Sequence, residues 1–272
     1  MKTIGSTIIM LALVPSLFAD NSKELKLASP DGTHEIAFYQ KQVSPAVNEL
    51  CYRVDYKSQP VVNESRAGLE LDNRIWEMAL GARNLKQPAC WMDNLEVDSV
   101  TYQPETDITW QPLYGERSSV RDHYRTGTLY LSKKDNSGYR LNIEVRAYNE
   151  GVAFRYFFPE HPKAIFHKVV GDLTEYTLPA GTKAWTEQWA QAFFKYLSID
   201  DIKHPVERAL TLELPNGKWA ALADADIDDW CLTKYLASTD KKNTLTSVMY
   251  SPVDVVTYYA TPWKIVMAAD KP

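Results

Sequence analysis

The 272 residues suffice for one large or two small domains, and a chain that is 45% hydrophobic and 24% charged, without a biased tract, has the composition of a folded protein. The net charge of −5 is spread over interspersed groups of both signs, so the basic stripe demanded by phosphate backbones is missing and a nucleic-acid partner is excluded. An aromatic share of 12%, with 8 Trp and 16 Tyr, favours β structure or contact with carbohydrate.

Residues Met1–Ala19 read as a signal peptide: Lys2 precedes an apolar run from Ile8 to Val14, and the small residue Ala19 stands at the expected cut. That run is too short to span a bilayer, no later run approaches the ~20 apolar residues needed, and no Cys stands at the cut to carry a lipid. The mature chain is therefore expected to be residues 20–272, periplasmic or secreted, with no membrane span. Cys51, Cys90 and Cys231 make an odd count for an oxidising compartment; one bridge plus a thiol and three thiols both fit.

Strands follow in close succession. In HEIAFYQ (34–40) and LCYRVDYK (50–57), apolar residues fall at alternate positions, as a half-buried strand requires. The stretch SRAGLELDNRIWEMALGARN (65–84) mixes strand and helix signals. YRLNIEVRAYNEGVAFRYFFP (139–159) predicts a hairpin: Tyr139, Leu141, Ile143, Val145 and Ala147 share a face, Asn149–Gly151 turns, and Val152, Phe154, Tyr156 and Phe158 alternate again. ALTLELPNGKWAALADA (209–225) repeats the device around Pro215–Gly217. NTLTSVMYS (243–251) and DVVTYYATPWKIVMAA (254–269) add further strands. Turns recur too often for βαβ units, so an all-β, antiparallel sandwich is expected.

The chemical signals are sparse. His34, His123, His161, His167 and His204 show neither HxH nor HExxH spacing, so no zinc site is expected. DADIDDW (224–230) begins like a calcium loop but lacks its Gly and distal Glu, and carboxylates alternating on the solvent side of a strand explain it equally. AWTEQWAQAFFKY (184–196) concentrates Trp185, Trp189, Phe193, Phe194 and Tyr196, which suits either a stacking platform for sugar rings or an interface with another domain. WQPLYGERSSVRDHY (110–124) gathers Trp110, Tyr114, Glu116, Arg117, Arg121 and Asp122. Its expected role is structural, with a charged network behind a sheet and Trp110 and Tyr114 packed below it; ligand contact is the alternative.

In order along the chain, LASPDGTHEIAF, GLELD, WQPLYGE, VRDHY, RAYNEGVAFRYFFP, WAALADADIDDW and TPWKIVMAAD resemble the N-terminal domain of glycoside hydrolase family 97, over residues 24 to 270. That family comprises bacterial α-glucosidases and α-galactosidases. The resemblance implies a β-super-sandwich of two large antiparallel sheets, similar to galactose mutarotase, followed in the family by a (β/α)₈ barrel that carries the catalytic carboxylates. The barrel is absent from these 272 residues, so the chain alone is expected not to cleave glycosides. It also implies a calcium ligand, a Glu just after the Trp-rich segment; Phe194 stands near that position, and no cofactor or metal is expected.

Two functions follow. The first is a non-catalytic domain, truncated or split from its barrel, that supports a site for α-linked glucose or galactose saccharides, with a separately encoded barrel as a partner. The alternative is a free-standing secreted carbohydrate-binding module using Trp185 and Trp189. A third, mutarotase-like reading needs a paired His and Glu; His123 and His167 are available, but no spacing argues for them.

Overall fold

The computed structural model describes residues 19–20, 23–72, 89–90, 93–134, 139–160 and 166–272. The leader up to residue 18, residues 73–84 of the mixed stretch, and His161 lie outside them.

The described residues form antiparallel strands, one short 3₁₀ turn at Ile199–Asp201, and no α-helix. The largest sheet has eleven strands. From one edge run Ala19–Asp20, Leu95–Trp110, Val120–Lys133, Arg140–Tyr148 and Gly151–Phe158. Trp263–Ala269, Trp219–Ala225, Leu210–Glu213, Lys183–Thr186 and Lys195–Ser198 continue it, and Tyr259–Ala260 pairs with the end of Gly151–Phe158. The predicted hairpin lies at the centre: Tyr148 pairs with Gly151, so Asn149 and Glu150 make the turn. Leu141, Ile143, Val145 and Ala147 all point into the core, as their spacing predicts.

Three smaller sheets form the opposite layer. One holds Glu24–Ala28, His34–Ser44, Val47–Tyr56 and Gln59–Arg66. The second holds Val253–Val256, Phe166–Asp172, Leu69–Leu71 and Ala89–Cys90; the third holds Glu175–Thr177, Thr244–Met249 and Thr233–Ala237. The sandwich is as expected, but its second layer is segmented. A local turn accounts for one break: the Thr174 N–H donates to the Asp172 carboxylate at 3.0 Å, and the chain leaves one sheet and enters the next.

Aromatic rings knit the layers together. Phe154 of the large sheet meets Phe38 edge-on at 5.1 Å and Tyr52 at 5.0 Å, and Tyr52 meets Tyr176 at 6.3 Å. Two buried tyrosine hydroxyls are satisfied locally: Tyr52 Oη donates to the Glu175 carbonyl at 2.6 Å, and Tyr156 Oη accepts from the Gly68 N–H at 2.8 Å. One ion pair, Lys264 with Asp172, is buried between the layers.

The registers fix which loops are neighbours. One end of the large sheet carries the turn at Asn149–Glu150, the connection 111–119 and the end of Trp263–Ala269. The opposite end carries the loops at 187–194 and 226–232.

Candidate functional site

The aromatic segment is brought together as a site. Lys183–Thr186 and Lys195–Ser198 pair so that Trp185 faces Tyr196, their rings 4.8 Å apart, with Lys183 Nζ 5.0 Å from the Tyr196 ring. Residues 187–194 bulge beyond the pair, closed by a bond from the Ala192 N–H to the Trp189 carbonyl at 2.8 Å. The base is pinned: the Glu207 N–H donates to the Glu187 carbonyl at 2.9 Å, and Lys234 donates to the Gln188 carbonyl at 2.7 Å while pairing with Glu207 at 2.7 Å. A pinned loop can hold apolar rings in water without collapsing onto the sheet. Trp189 is 59%, Phe193 92% and Phe194 65% exposed. Beside them runs a groove of about 590 Å³ that Glu187, Asp201, Lys203 and His204 also line.

A hard cation needs oxygen ligands. Phe194 itself offers a ring, while Glu187 and Asp201 line the groove. Among the described residues no three His, Cys, Asp or Glu side chains converge. Asp200 is committed elsewhere: its carboxylate accepts from the Asn243 N–H at 2.7 Å and lies 3.5 Å from Lys242 Nζ.

The stretch from Trp110 to Tyr124 corrects the sequence expectation. It is the end of a long hairpin, and Trp110 (48% exposed) and Tyr114 (91% exposed) are not buried below the sheet. Glu116 and Arg117 are exposed in the connection. Arg121 does form an ion pair, but across the hairpin: its guanidinium grips both Asp107 oxygens at 2.7 Å. Asp122 sits opposite Ile108. The strands simply outrun the layer beneath them, so side chains on both faces meet water.

His123 and His167 lie in different sheets. His123 Nε2 lies 2.6 Å from Glu105 on the hairpin, whereas His167 is buried in the other layer, stacked on Phe158 at 5.2 Å. Cys51 and Cys231 carry free thiols, and burial pushes the Cys51 thiol up to about 11. No helix among the described residues is long and apolar enough to cross a membrane.

Comparison with known proteins agrees with this architecture. A glycoside hydrolase family 97 enzyme from a Pseudoalteromonas species, solved as a variant and in complexes with panose and with acarbose, superposes with a TM-score of 0.78 at 20% identity. The match covers 91% of this chain and 36% of that one. A β-arabinopyranosidase crystal structure matches with a TM-score of 0.73 at 17% identity, over 91% of this chain and 40% of that one. At such identities the likeness shows the fold alone. In sequence, a retaining α-galactosidase of Bacteroides thetaiotaomicron is 24% identical over 263 residues, 90% of this chain and 35% of that protein. The chain thus spans little more than a third of the length of these relatives. The family model for the glycosyl-hydrolase 97 N-terminal domain matches residues 27–272, nearly the whole described sandwich, and the chain belongs to that family.

Proposed function

We propose that this chain is the non-catalytic sandwich part of a family 97 type glycoside hydrolase, and that its loop after Trp185 shapes the place where an α-linked glucoside or galactoside meets the catalytic part. The observation that carries this reading is the pinned loop with Trp189, Phe193 and Phe194 held in solvent beside the groove. Rings so exposed cost free energy in water, and a partner surface or a sugar face recovers it. The catalytic part is a barrel supplied in the same polypeptide or separately. The leader-like sequence at Met1–Ala19 supports work in the periplasm or outside the cell. The reading includes no calcium, because Phe194 stands near the position where the resemblance implies a Glu ligand.

Glycoside cleavage needs two carboxyl groups about 5–9.5 Å apart around one bond, and in this reading both belong to the catalytic part. The test is direct. The purified chain, incubated with nitrophenyl α-glucoside and nitrophenyl α-galactoside, should release nothing above buffer. Release that disappears in Glu187→Gln would overturn the proposal. The alternative of an independent carbohydrate-binding module draws on the exposure of Trp185 and Trp189, and predicts saturable sugar binding that Trp189→Ala abolishes.

A further inference from the structure

The outward face of the large sheet holds a second depression, which none of the residues of the loop after Trp185 line. Small residues make room for it: Gly151, Ala153 and Ala225 leave a volume of about 490 Å³ floored by Ile265 and Met267. Gly151 cannot be larger, since a Cβ there would stand 2.5 Å from the Val266 carbonyl oxygen on the next strand. Trp263 forms one wall. Its strand neighbour Lys264 points into the core, so Trp263 points outward, yet it is only 8% exposed. The Arg146 and Arg155 guanidinium groups cover it, at 4.7 and 4.4 Å from the ring.

The two arginines differ in what else they touch. Arg155 is neutralised by Glu144 at 2.6 Å and Asp226 at 3.2 Å. Arg146 lies between the Trp263 ring and the Tyr124 ring, 4.6 Å away, and its one side-chain hydrogen bond among the described residues is a long one to Tyr148 Oη at 3.4 Å. No carboxylate among the described residues pairs with it. Glu150 lines the same depression and likewise has no ion-pair or hydrogen-bond partner among the described residues. A fixed donor fork and a carboxylate, each uncommitted, therefore share one apolar floor.

We propose that this depression binds a single uncharged pyranose unit of a glycan. An anionic ligand would meet Glu150, and a cationic one would meet Arg146. A neutral ring with a rim of hydroxyls satisfies both, accepting from the guanidinium and donating to the carboxylate, while its C–H face rests on Ile265 and Met267. The volume lies within the range of small-molecule sites, and an apolar floor with a few polar groups is their common make-up. This site is independent of the role given above to the loop after Trp185.

The test titrates the whole chain with maltotriose, followed by tryptophan fluorescence and calorimetry, up to about 20 mM, the range in which a single weakly bound sugar saturates. Arg146→Met keeps the stem over Trp263 and removes the fork; Glu150→Gln keeps size and removes charge. Saturable binding is expected, weakened about tenfold or more by either change and untouched by Trp189→Ala, with circular dichroism unchanged in all three. Binding that survives Arg146→Met but is lost in Trp189→Ala overturns the proposal and moves the sugar to the loop. Absence of saturable binding by the folded wild-type chain overturns it as well, and leaves the scaffolding role of the loop standing.

Discussion

Replacing Lys264 by Met tests how the two layers are held together. The Lys264 and Asp172 side chains are 6% and 1% exposed, so water does not screen their ion pair. Burial by itself pushes the Lys264 ammonium down, but Asp172 and Asp224 outweigh it and leave the group above the ordinary lysine range. Removing the cation strands the Asp172 carboxylate in the core with one backbone N–H, from Thr174, as its remaining donor. An uncompensated buried charge of this kind costs about 3–5 kcal/mol. For a chain of this size each kcal/mol moves Tm by about 2–4 °C, so a fall of about 6–20 °C is expected by calorimetry. A second change, Asp172→Leu, removes the stranded charge and should recover more than half of the loss, because the pair repays little beyond its own desolvation. The reasoning fails if Lys264→Met costs less than about 1 kcal/mol, or if the double variant is less stable than the single one. Sign adds a further check. A lysine raised in the fold contributes stability that is complete below its unfolded pKa and disappears as pH rises through the folded value, so wild-type Tm should fall in strongly alkaline buffer and that fall should be absent in the double variant.

Other outcomes follow from single observations. Gly151→Ala should destabilise by about 1–3 kcal/mol in urea unfolding, since its methyl would press on the backbone of the neighbouring strand; a neutral result would mean the strands spread freely. Burial lowers the His34 pKa and outweighs the opposing bond from its Nε2 to the Ala268 carbonyl at 3.0 Å, so the unfolded chain takes up the proton first. Stability should therefore decline as pH falls below about 6.5, and His34→Gln should flatten that decline in pH-dependent melting. Iodoacetamide at pH 8 should modify Cys231 well before Cys51, whose thiol is buried and raised; equal rates by mass spectrometry would contradict that burial. Phe193→Ser with Phe194→Ser should raise solubility while leaving Tm unchanged, because neither ring touches the core.

Much of the architecture was readable in the chain because alternation survives where one face of a strand meets water. Leu141 to Ala147 and Val152 to Phe158 show it, and both strands are where their spacing put them. The aromatic loop was readable as a cluster, although not as a pinned bulge: the anchors Glu207 and Lys234 come from distant strands. The stretch from Trp110 misled, because aromatic and charged residues in one segment look the same whether they pack under a sheet or ride on a hairpin beyond its edge. Arg146 and Glu150 sit on the polar side of a regular hairpin and read as solvated residues; only register places them beside Trp263. One signal did exist. In PWKIVMAA the lone Lys264 is flanked by apolar residues on both phases of the strand, which marks a strand whose outer face is not left to bulk water.

The strand Leu95–Trp110, with sixteen residues, is about 50 Å long at ~3.3 Å per residue, and it runs the length of a sheet whose two ends carry different sticky features. Rings at Trp189 and Phe193 belong to one pole, and Trp110 with Tyr114 to the other. The two poles share no contact among the described residues, so substitutions at one and at the other should add without coupling.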